Sequence, residues 1–415
     1  MKFIVDNVGR VKKAEIDNQG ITIIAGYNDT GKSTVLKSVD AILKSYGNKI
    51  DNIRKERWNS VRMFIRKKEH LFDKAGFSFL PISLLEDLYS GLKDKANSVD
   101  EISYDVFKSV YNEVMFSYKE RIDAFSQNPV IYTEQFIKEM QDGLDEIVNR
   151  TSEEYFTFLS TMNLRKEFGN QATNLINSKP STISFESSNG KTGSITFEFN
   201  KVSKCVGDDL AINNSIYLET RNILDSFDKT ASNAEIRQCI RREAKVEVFE
   251  EFDEIEKNKD VIQKILKEVL HGRLRMEDDN LKYDDTQIGD SINLHNVASG
   301  MKTLLIIQRL IENGTLSEDS WLLIDEPETN LHPEWHIQMA EILVLMKKKL
   351  GINILVSSHS PYFIRAMEVQ LVKHDMKEFG SFYLMQPEGK QYSAVNVTKE
   401  TEKIYDQLYR PLADL

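Results

Sequence analysis

Leu322-Leu323-Ile324-Asp325-Glu326-Pro327-Glu328-Thr329-Asn330-Leu331-His332-Pro333-Glu334 is the stretch whose reading decides the fold. Trp321 to Ile324 are apolar without alternation, the pattern of a parallel strand buried on both faces. Open α/β sheets hold their ligands at the carboxyl ends of such strands, and here that end delivers two adjacent carboxylates, Asp325 and Glu326. One can hold Mg²⁺ and the other can act as a base. An isolated Asp-Glu pair would more readily be a solvated acidic turn, so the reading depends on the rest of the chain.

The partner motif lies near the N-terminus. Gly26-Tyr27-Asn28-Asp29-Thr30-Gly31-Lys32-Ser33 fits G-x-x-x-x-G-K-[ST] and runs on into Thr34. Ile21-Thr22-Ile23-Ile24 before it reads as a strand, and Leu36, Val39 and Leu43 after it fall at helical spacing. The glycines let the backbone N–H groups of the loop turn inward as a nest around phosphate oxygens, and the helix adds its positive N-terminal end. Lys32 is expected to reach the β- and γ-phosphates and Ser33 to join Asp325 on Mg²⁺. Phosphoryl transfer is mostly positioning and charge neutralisation, so these parts account for binding of ATP with Mg²⁺. Hydrolysis needs a placed water as well, and Glu326 is the candidate base, a role that contributes on the order of 10²–10⁴ in rate.

Two further pieces flank the acidic strand. Before it, Asn296-Val297-Ala298-Ser299-Gly300-Met301-Lys302-Thr303 opens the apolar helix Leu304-Leu305-Ile306-Ile307, with Ser299 as the expected N-cap and Gly300 allowing backbone approach to an anion. After it, the strand Asn353 to Ser357 leads to Ser358-His359-Ser360-Pro361, where His359 can hydrogen-bond a γ-phosphate.

In this order the four motifs resemble those of ATP-binding-cassette ATPases, in particular the soluble SMC, RecF and OLD-like branch. The form Asp325-Glu326-Pro327-Glu328-x-x-Leu331-His332-Pro333 and the run Ser357-Ser358-His359-Ser360-Pro361 are similar to those of OLD-like ATPases, many of which serve bacterial anti-phage systems. The likeness covers the start of the chain through the first helix and a longer stretch near the end. It implies an α/β P-loop head with a mixed-sheet core and an antiparallel β lobe. It also implies a homodimer in which two heads sandwich two nucleotides. Ser299 and Gly300 would then reach the nucleotide of the opposite subunit, and Asn330-Leu331-His332 would cross the interface.

Three departures matter. Met301-Lys302 stands where transporter signatures most often carry Gly-Gln, so Lys302 either contacts phosphate or covers the helix start. The Q-loop glutamine has two candidate places, Gln171 and, better by topology, the loop that begins at Glu219 after the strand Ile216 to Leu218. OLD-like proteins often continue into a Toprim nuclease, whereas residues 360–415 are expected to give two short strands, Phe382 to Leu384 and Ala394 to Val397, and a closing helix. The output chemistry is therefore expected on another chain.

His332-Pro333-Glu334-Trp335-His336 is not His-Glu-x-x-His, and Pro333 reads as the first residue of a helix. The remaining histidines, His70, His271, His295, His359 and His374, show no ligand spacing.

Between the motifs the pattern divides the chain into residues 1–47 and 179–415 as head and 48–178 as an inserted helical subdomain. Apolar spacing in the insert runs through Ile82, Leu84, Leu85, Leu88 and Leu92, then Val106, Val110, Val114 and Met115, then Phe136, Met140, Leu144 and Ile147. Gly76 to Pro81 and Asn128-Pro129 punctuate it, and no heptad is sustained long enough for a coiled-coil arm. The period then changes to two at Thr182 to Glu186 and Ser194 to Glu198, with Asn189-Gly190 as a hairpin signal. These strands, with Lys2 to Val5 and Ala14 to Ile16, are the expected lobe over the nucleotide base. Residues 234–270 return to helix with an acidic stretch, Glu247 to Glu256, that reads as a solvated face.

Arg54, Lys55, Arg57, Arg62, Arg66, Lys67 and Lys68 cluster between 54 and 68, interleaved with Trp58 and Phe64. Such a helix could touch nucleic acid or an acidic protein, or it could be an amphipathic helix with core aromatics and solvated bases. The net charge of −11 argues against indiscriminate coating of DNA. Only Cys205 and Cys239 are present, no signal peptide opens the chain, and no run approaches the roughly twenty apolar residues that span a bilayer. A cytoplasmic enzyme is expected. Three functions are carried forward: an ATPase whose dimerisation controls a separate nuclease or toxin, a DNA-repair or chromosome clamp gated by ATP, and a slowly hydrolysing scaffold.

Overall fold

The computed structural model describes residues 1–68, 82–118, 134–177, 179–219, 234–242, 252–277 and 280–413. The chain forms two compact units, Met1–Asn48 with Ser160–Leu415, and Lys49–Leu159.

The first unit opens with strands β1 (Lys2–Val8), β2 (Val11–Asp17) and β3 (Ile21–Ala25) and helix α1 (Lys32–Tyr46). The second unit holds α2 (Lys49–Lys67), α3 (Ile82–Lys95), α4 (Tyr104–Ser117), α5 (Glu134–Val148) and the first half of α6 (Ser152–Phe168). The first unit resumes with β4 (Ser181–Glu186), β5 (Thr192–Glu198), β6 (Lys201–Gly207), β7 (Ser215–Glu219), α7 (Ala234–Arg241) and α8 (Phe252–Val269). Then come β8 (Gly272–Glu277), β9 (Asn280–Asp285), β10 (Asp290–Asn293), α9 (Ser299–Glu312), β11 (Trp321–Asp325) and α10 (Pro333–Leu350). The chain closes with β12 (Asn353–Ser358), α11 (Pro361–Lys373), β13 (Gly380–Glu388), β14 (Gln391–Asn396) and α12 (Glu402–Ala413).

One mixed sheet of 11 strands carries the first unit, in the order β6-β5-β4-β1-β2-β14-β13-β3-β12-β11-β7. The five strands β13, β3, β12, β11 and β7 run parallel. All residues of β3 and β11 are buried, as strands covered on both faces must be. Helices α1, α9, α10 and α11 supply that cover: Leu304 to Ile307 in α9 and Met339, Ile342 and Leu343 in α10 are 0% exposed. The antiparallel lobe expected from the sequence is the other end of this same sheet, joined through β14, which pairs antiparallel with β13 and parallel with β2. The Asn189-Gly190 signal is its β4–β5 turn, with Gly190 at φ 80°.

The boundary of the insert differs from the sequence reading, which ran it to 178. Residues 160–177 belong to the first unit, and polar contacts tie them to it. Glu167 pairs with Lys44 at 3.0 Å, Asn163 donates to Ser45 Oγ at 3.2 Å, and Asn200 Oδ1 accepts from the backbone of Ala172 and Thr173. The small antiparallel sheet β10-β9-β8 was not anticipated. Of the sequence signals, Gly76 to Pro81 and Asn128-Pro129 lie outside the described residues, as does the acidic stretch before Phe252.

Within the second unit Leu84, Leu85, Leu88, Leu92, Val110, Met115, Met140, Leu144 and Ile147 of the periodic set are buried, with Leu88, Leu92 and Leu144 all 0% exposed. Trp58 is buried against Tyr89, ring centroids 6.1 Å apart, so this aromatic of the basic cluster is core. The bases are largely committed to carboxylates. Arg57 makes two bonds to Asp100, at 2.7 and 2.6 Å, and a third to Val148 O at 2.9 Å. Arg62 and Arg66 share Glu86, and Arg54 pairs with Asp51. These pairs cancel charge that a nucleic-acid contact would need. Arg57→Ala is expected to destabilise the protein by about 1–3 kcal/mol through loss of charge-assisted bonds, whereas Lys55→Ala at an exposed position stays within about 0.5 kcal/mol. Thermal melting of the two variants side by side measures the difference.

Candidate active site

The parallel strands end at one edge and in register. Ala25 pairs with Ser358, Ser357 with Asp325, and Asp325 with Glu219, so four strand ends converge there. They carry the glycine loop, the Ser358-His359 turn, the two acids and Glu219. A cavity of about 870 Å³ opens at this edge, lined by Asn28, Asp29, Gly31, Lys32, Ser33, Thr34, Asp325, Glu326 and Glu219 among others. Arg10, Gln171 and Tyr392 also line it.

The glycine loop folds as the motif demands. Asp29 has φ 65° and Gly31 φ 91°, and Gly31 caps α1, whose first residue is Lys32. A Cβ at Gly31 would approach Val11 Cγ2 to 2.8 Å, so both conformation and space select glycine there. Lys32 is 4% exposed and its Nζ donates to Tyr27 O at 2.8 Å, with Thr30 Oγ1 donating to the same carbonyl at 2.8 Å. The loop thus holds its ammonium on its own backbone, within the cavity wall.

At the acidic edge, Asp325 Oδ1 accepts from Ser357 Oγ, and Oδ2 accepts from Tyr217 Oη at 3.4 Å. Burial, and then the neighbouring Asp325 charge, pushes the Tyr217 phenol well above its ordinary value, which keeps it a donor. Glu326 has φ 53°, a left-handed conformation that costs a non-glycine residue about 1–2 kcal/mol, and its N–H donates to Ser357 O at 3.0 Å. Its Oε1 lies 3.0 Å from His359 Nδ1. The facing carboxylate raises the His359 pKa against a smaller opposing effect of burial.

Ser299 and Gly300 are not among the described residues lining the cavity. Ala298, at φ −56° and ψ 134°, is the N-cap of α9 and Ser299 its first helical residue, which corrects the expected cap by placing it one residue earlier. A Cβ on Gly300 would meet Asn330 O at 2.4 Å, so this glycine lets α9 approach the segment after the acids. Lys302 is buried, and Asn330 has φ 63°. His332 is the N-cap of α10, its Nδ1 accepting from Glu334 N at 3.4 Å, with Pro333 first in the helix. Of the two Q-loop candidates, Gln171 lines the cavity, as does Glu219 where the second candidate loop begins, and the rest of that loop lies outside the described residues.

Two neighbours of the acids were not given a role by sequence. Tyr217 is an aromatic hydroxyl in a buried strand, and only pairing of β7 with β11 shows what it faces. Glu328 was legible as an acid within the quoted motif, but its partners, Ser358 Oγ at 2.6 Å and His359 N at 3.3 Å, lie on another strand.

A glycine loop and a paired-acid strand end sharing one cavity at the carboxyl edge of a parallel sheet define a P-loop ATPase. The chain belongs to the family described as AAA ATPase domain, whose model matches residues 1–364. No curated protein matches it. Solved structures similar to it include the SMC head domain from Thermotoga maritima, at 11% identity over 95% of this chain and 98% of that one, with a TM-score of 0.39. Another is an Smc head bound to the C-winged helix domain of ScpA, at 12% identity over 97% and 98%, with a TM-score of 0.46. A third is MJ1267, an ATP-binding cassette of an ABC transporter, in its ADP conformation, at 10% identity over 99% and 96%, with a TM-score of 0.33.

Proposed function

We propose that this ATPase hydrolyses ATP at a site completed by a second copy of the chain, and that ATP-driven dimerisation controls a separate effector. The observation that carries the reading is the shared cavity of about 870 Å³, in which Lys32, Ser33, Asp325 and Glu326 meet while Ser299 and Gly300 do not. Lys32 leaves Tyr27 O for the β- and γ-phosphates, and Gly26, Asn28, Asp29, Thr30, Gly31 and Thr34 shape the cradle around them. Ser33 and Asp325, which line the same cavity, are the residues that would hold Mg²⁺, and a hydroxyl with a carboxylate oriented by Ser357 and Tyr217 is a donor set suited to a hard cation. The bound ion supplies neutralisation of charge on the transferring phosphoryl group. Glu326 orients and deprotonates the attacking water, and His359 hydrogen-bonds the γ-phosphate. Ser299, Gly300 and Lys302 serve the partner's nucleotide, with Asn330 at the interface.

The likeness to OLD-like ATPases supports a nuclease or toxin as effector, in anti-phage defence in the cytoplasm. Among the described residues no helix is long and apolar enough to cross a membrane. The pairing of Arg57, Arg62 and Arg66 with carboxylates weighs against a nucleic-acid clamp.

Glu326→Gln is expected to keep ATP affinity and lose turnover by about 10²–10⁴, measured by equilibrium binding beside phosphate release. Turnover equal to the parent protein would remove Glu326 from the base role. Lys32→Ala and Ser299→Ala, each inactive alone, are expected to recover hydrolysis when mixed, since one of the two sites then has an intact loop and an intact signature. No recovery at concentrations that support dimers would exclude composite sites. Isolation of the tagged protein with and without ATP, with identification of what stays bound, is expected to yield a nuclease or toxin. Retention of DNA alone would favour the clamp.

A further inference from the structure

Glu328 stands three residues beyond Asp325 with its side chain 4% exposed. Its Oε1 accepts from Ser358 Oγ at 2.6 Å and from the backbone N–H of His359 at 3.3 Å, while its Oε2 is buried with no hydrogen-bond partner. Burial raises its pKa, and the His359 Nδ1 atom lies 3.9 Å from Oε1. A packed core gains little from such a group, because a buried carboxylate needs more compensation than one hydroxyl and one amide provide. Polar groups kept at this cost concentrate where geometry is being held for function.

Adjacent residues of β12 divide the contacts to the acidic turn. Ser357 serves Asp325 and the N–H of Glu326. Ser358 serves Glu328 and also accepts from Ser360 N at 3.0 Å, and Ser360 Oγ in turn caps α11 through Phe363 N at 3.3 Å. A hydrogen-bonded path thus runs from Glu328 through the turn that carries His359 to the start of the next helix.

We propose that Glu328 is a positioning residue: it clamps the Ser358-His359 turn to the acidic strand end and so sets the imidazole 3.0 Å from Glu326 before any nucleotide arrives. The proposal rests on the roles given above to Glu326 and His359, but the clamp is a property of the protein without nucleotide and can be read there. Glutamine at this position keeps an acceptor for both bonds, and alanine removes it.

Hydrogen exchange of nucleotide-free protein, followed over residues 357–361, is the deciding measurement. Glu328→Ala is expected to speed exchange of the His359 amide about tenfold, the equivalent of one net hydrogen bond, with Glu328→Gln close to the parent. In turnover assays Glu328→Ala is expected to lower kcat about ten- to hundredfold at unchanged ATP affinity, as a misplaced catalytic group does, and Glu328→Gln to restore it. Added to His359→Ala, Glu328→Ala is expected to cost nothing further. Unchanged exchange in Glu328→Ala overturns the clamp, as does a kcat loss that persists undiminished in the His359→Ala background. Should Glu328→Ala fail to fold, Ser358→Ala removes the other partner and is read in the same way. If His359→Ala turns over like the parent, the role of His359 in hydrolysis falls, while the exchange data still decide the clamp.

Discussion

The in-register pairing of four parallel strands at their carboxyl ends is the constraint on which the rest depends. Ala25, Ser358, Ser357, Asp325 and Glu219 stand in pairing positions across β3, β12, β11 and β7. Because side chains alternate along a strand, a slip of one residue in any pair would turn its functional group to the other face. The bond from Ser357 to Asp325 and that from Glu326 N to Ser357 O hold the most sensitive pair in place. Burial of every residue in β3 and β11 under helices makes that register costly to lose.

Concentrating polar groups at this edge carries a cost that the fold meets locally. Lys32, Asp325, Glu326 and Glu328 are each no more than 8% exposed. Groups that the sheet edge brings close answer them: Tyr27 O for Lys32, Ser357 and Tyr217 for Asp325, His359 for Glu326, and Ser358 with the His359 amide, in part, for Glu328. Glu326 adds backbone strain at φ 53°. Such concentration of burial, strain and charge marks a place organised for chemistry rather than for stability.

The fold was legible where the period of the sequence was unambiguous. The run Trp321 to Ile324, the alternation at Thr182 to Glu186 and the apolar spacing through Leu84, Leu88 and Leu92 all predicted the right element. Strands β8, β9 and β10 were missed because they are short and their sequences, such as Asn280 to Asp285, are too polar to announce a period. The return of the chain at 160 rather than 178 was invisible because side-chain pairs such as Lys44 with Glu167 decide it, and no local pattern encodes them. The cap of α9 fell one residue early, within the ordinary uncertainty of helix ends.

By itself the sequence determined the chemistry: which residues can cradle phosphate, which carboxylates end a buried strand, and that the two motifs belong to one ATPase. Those properties follow from residue type at short spacing. The tertiary structure alone decided what lies across from each of them. Tyr217 against Asp325, Glu328 beneath His359, Gly300 against Asn330 and the carboxylates that neutralise the basic helix all join residues far apart in the chain. Contacts between distant segments depend on strand order and register, and those are fixed by burial over the whole sheet rather than by any window of sequence.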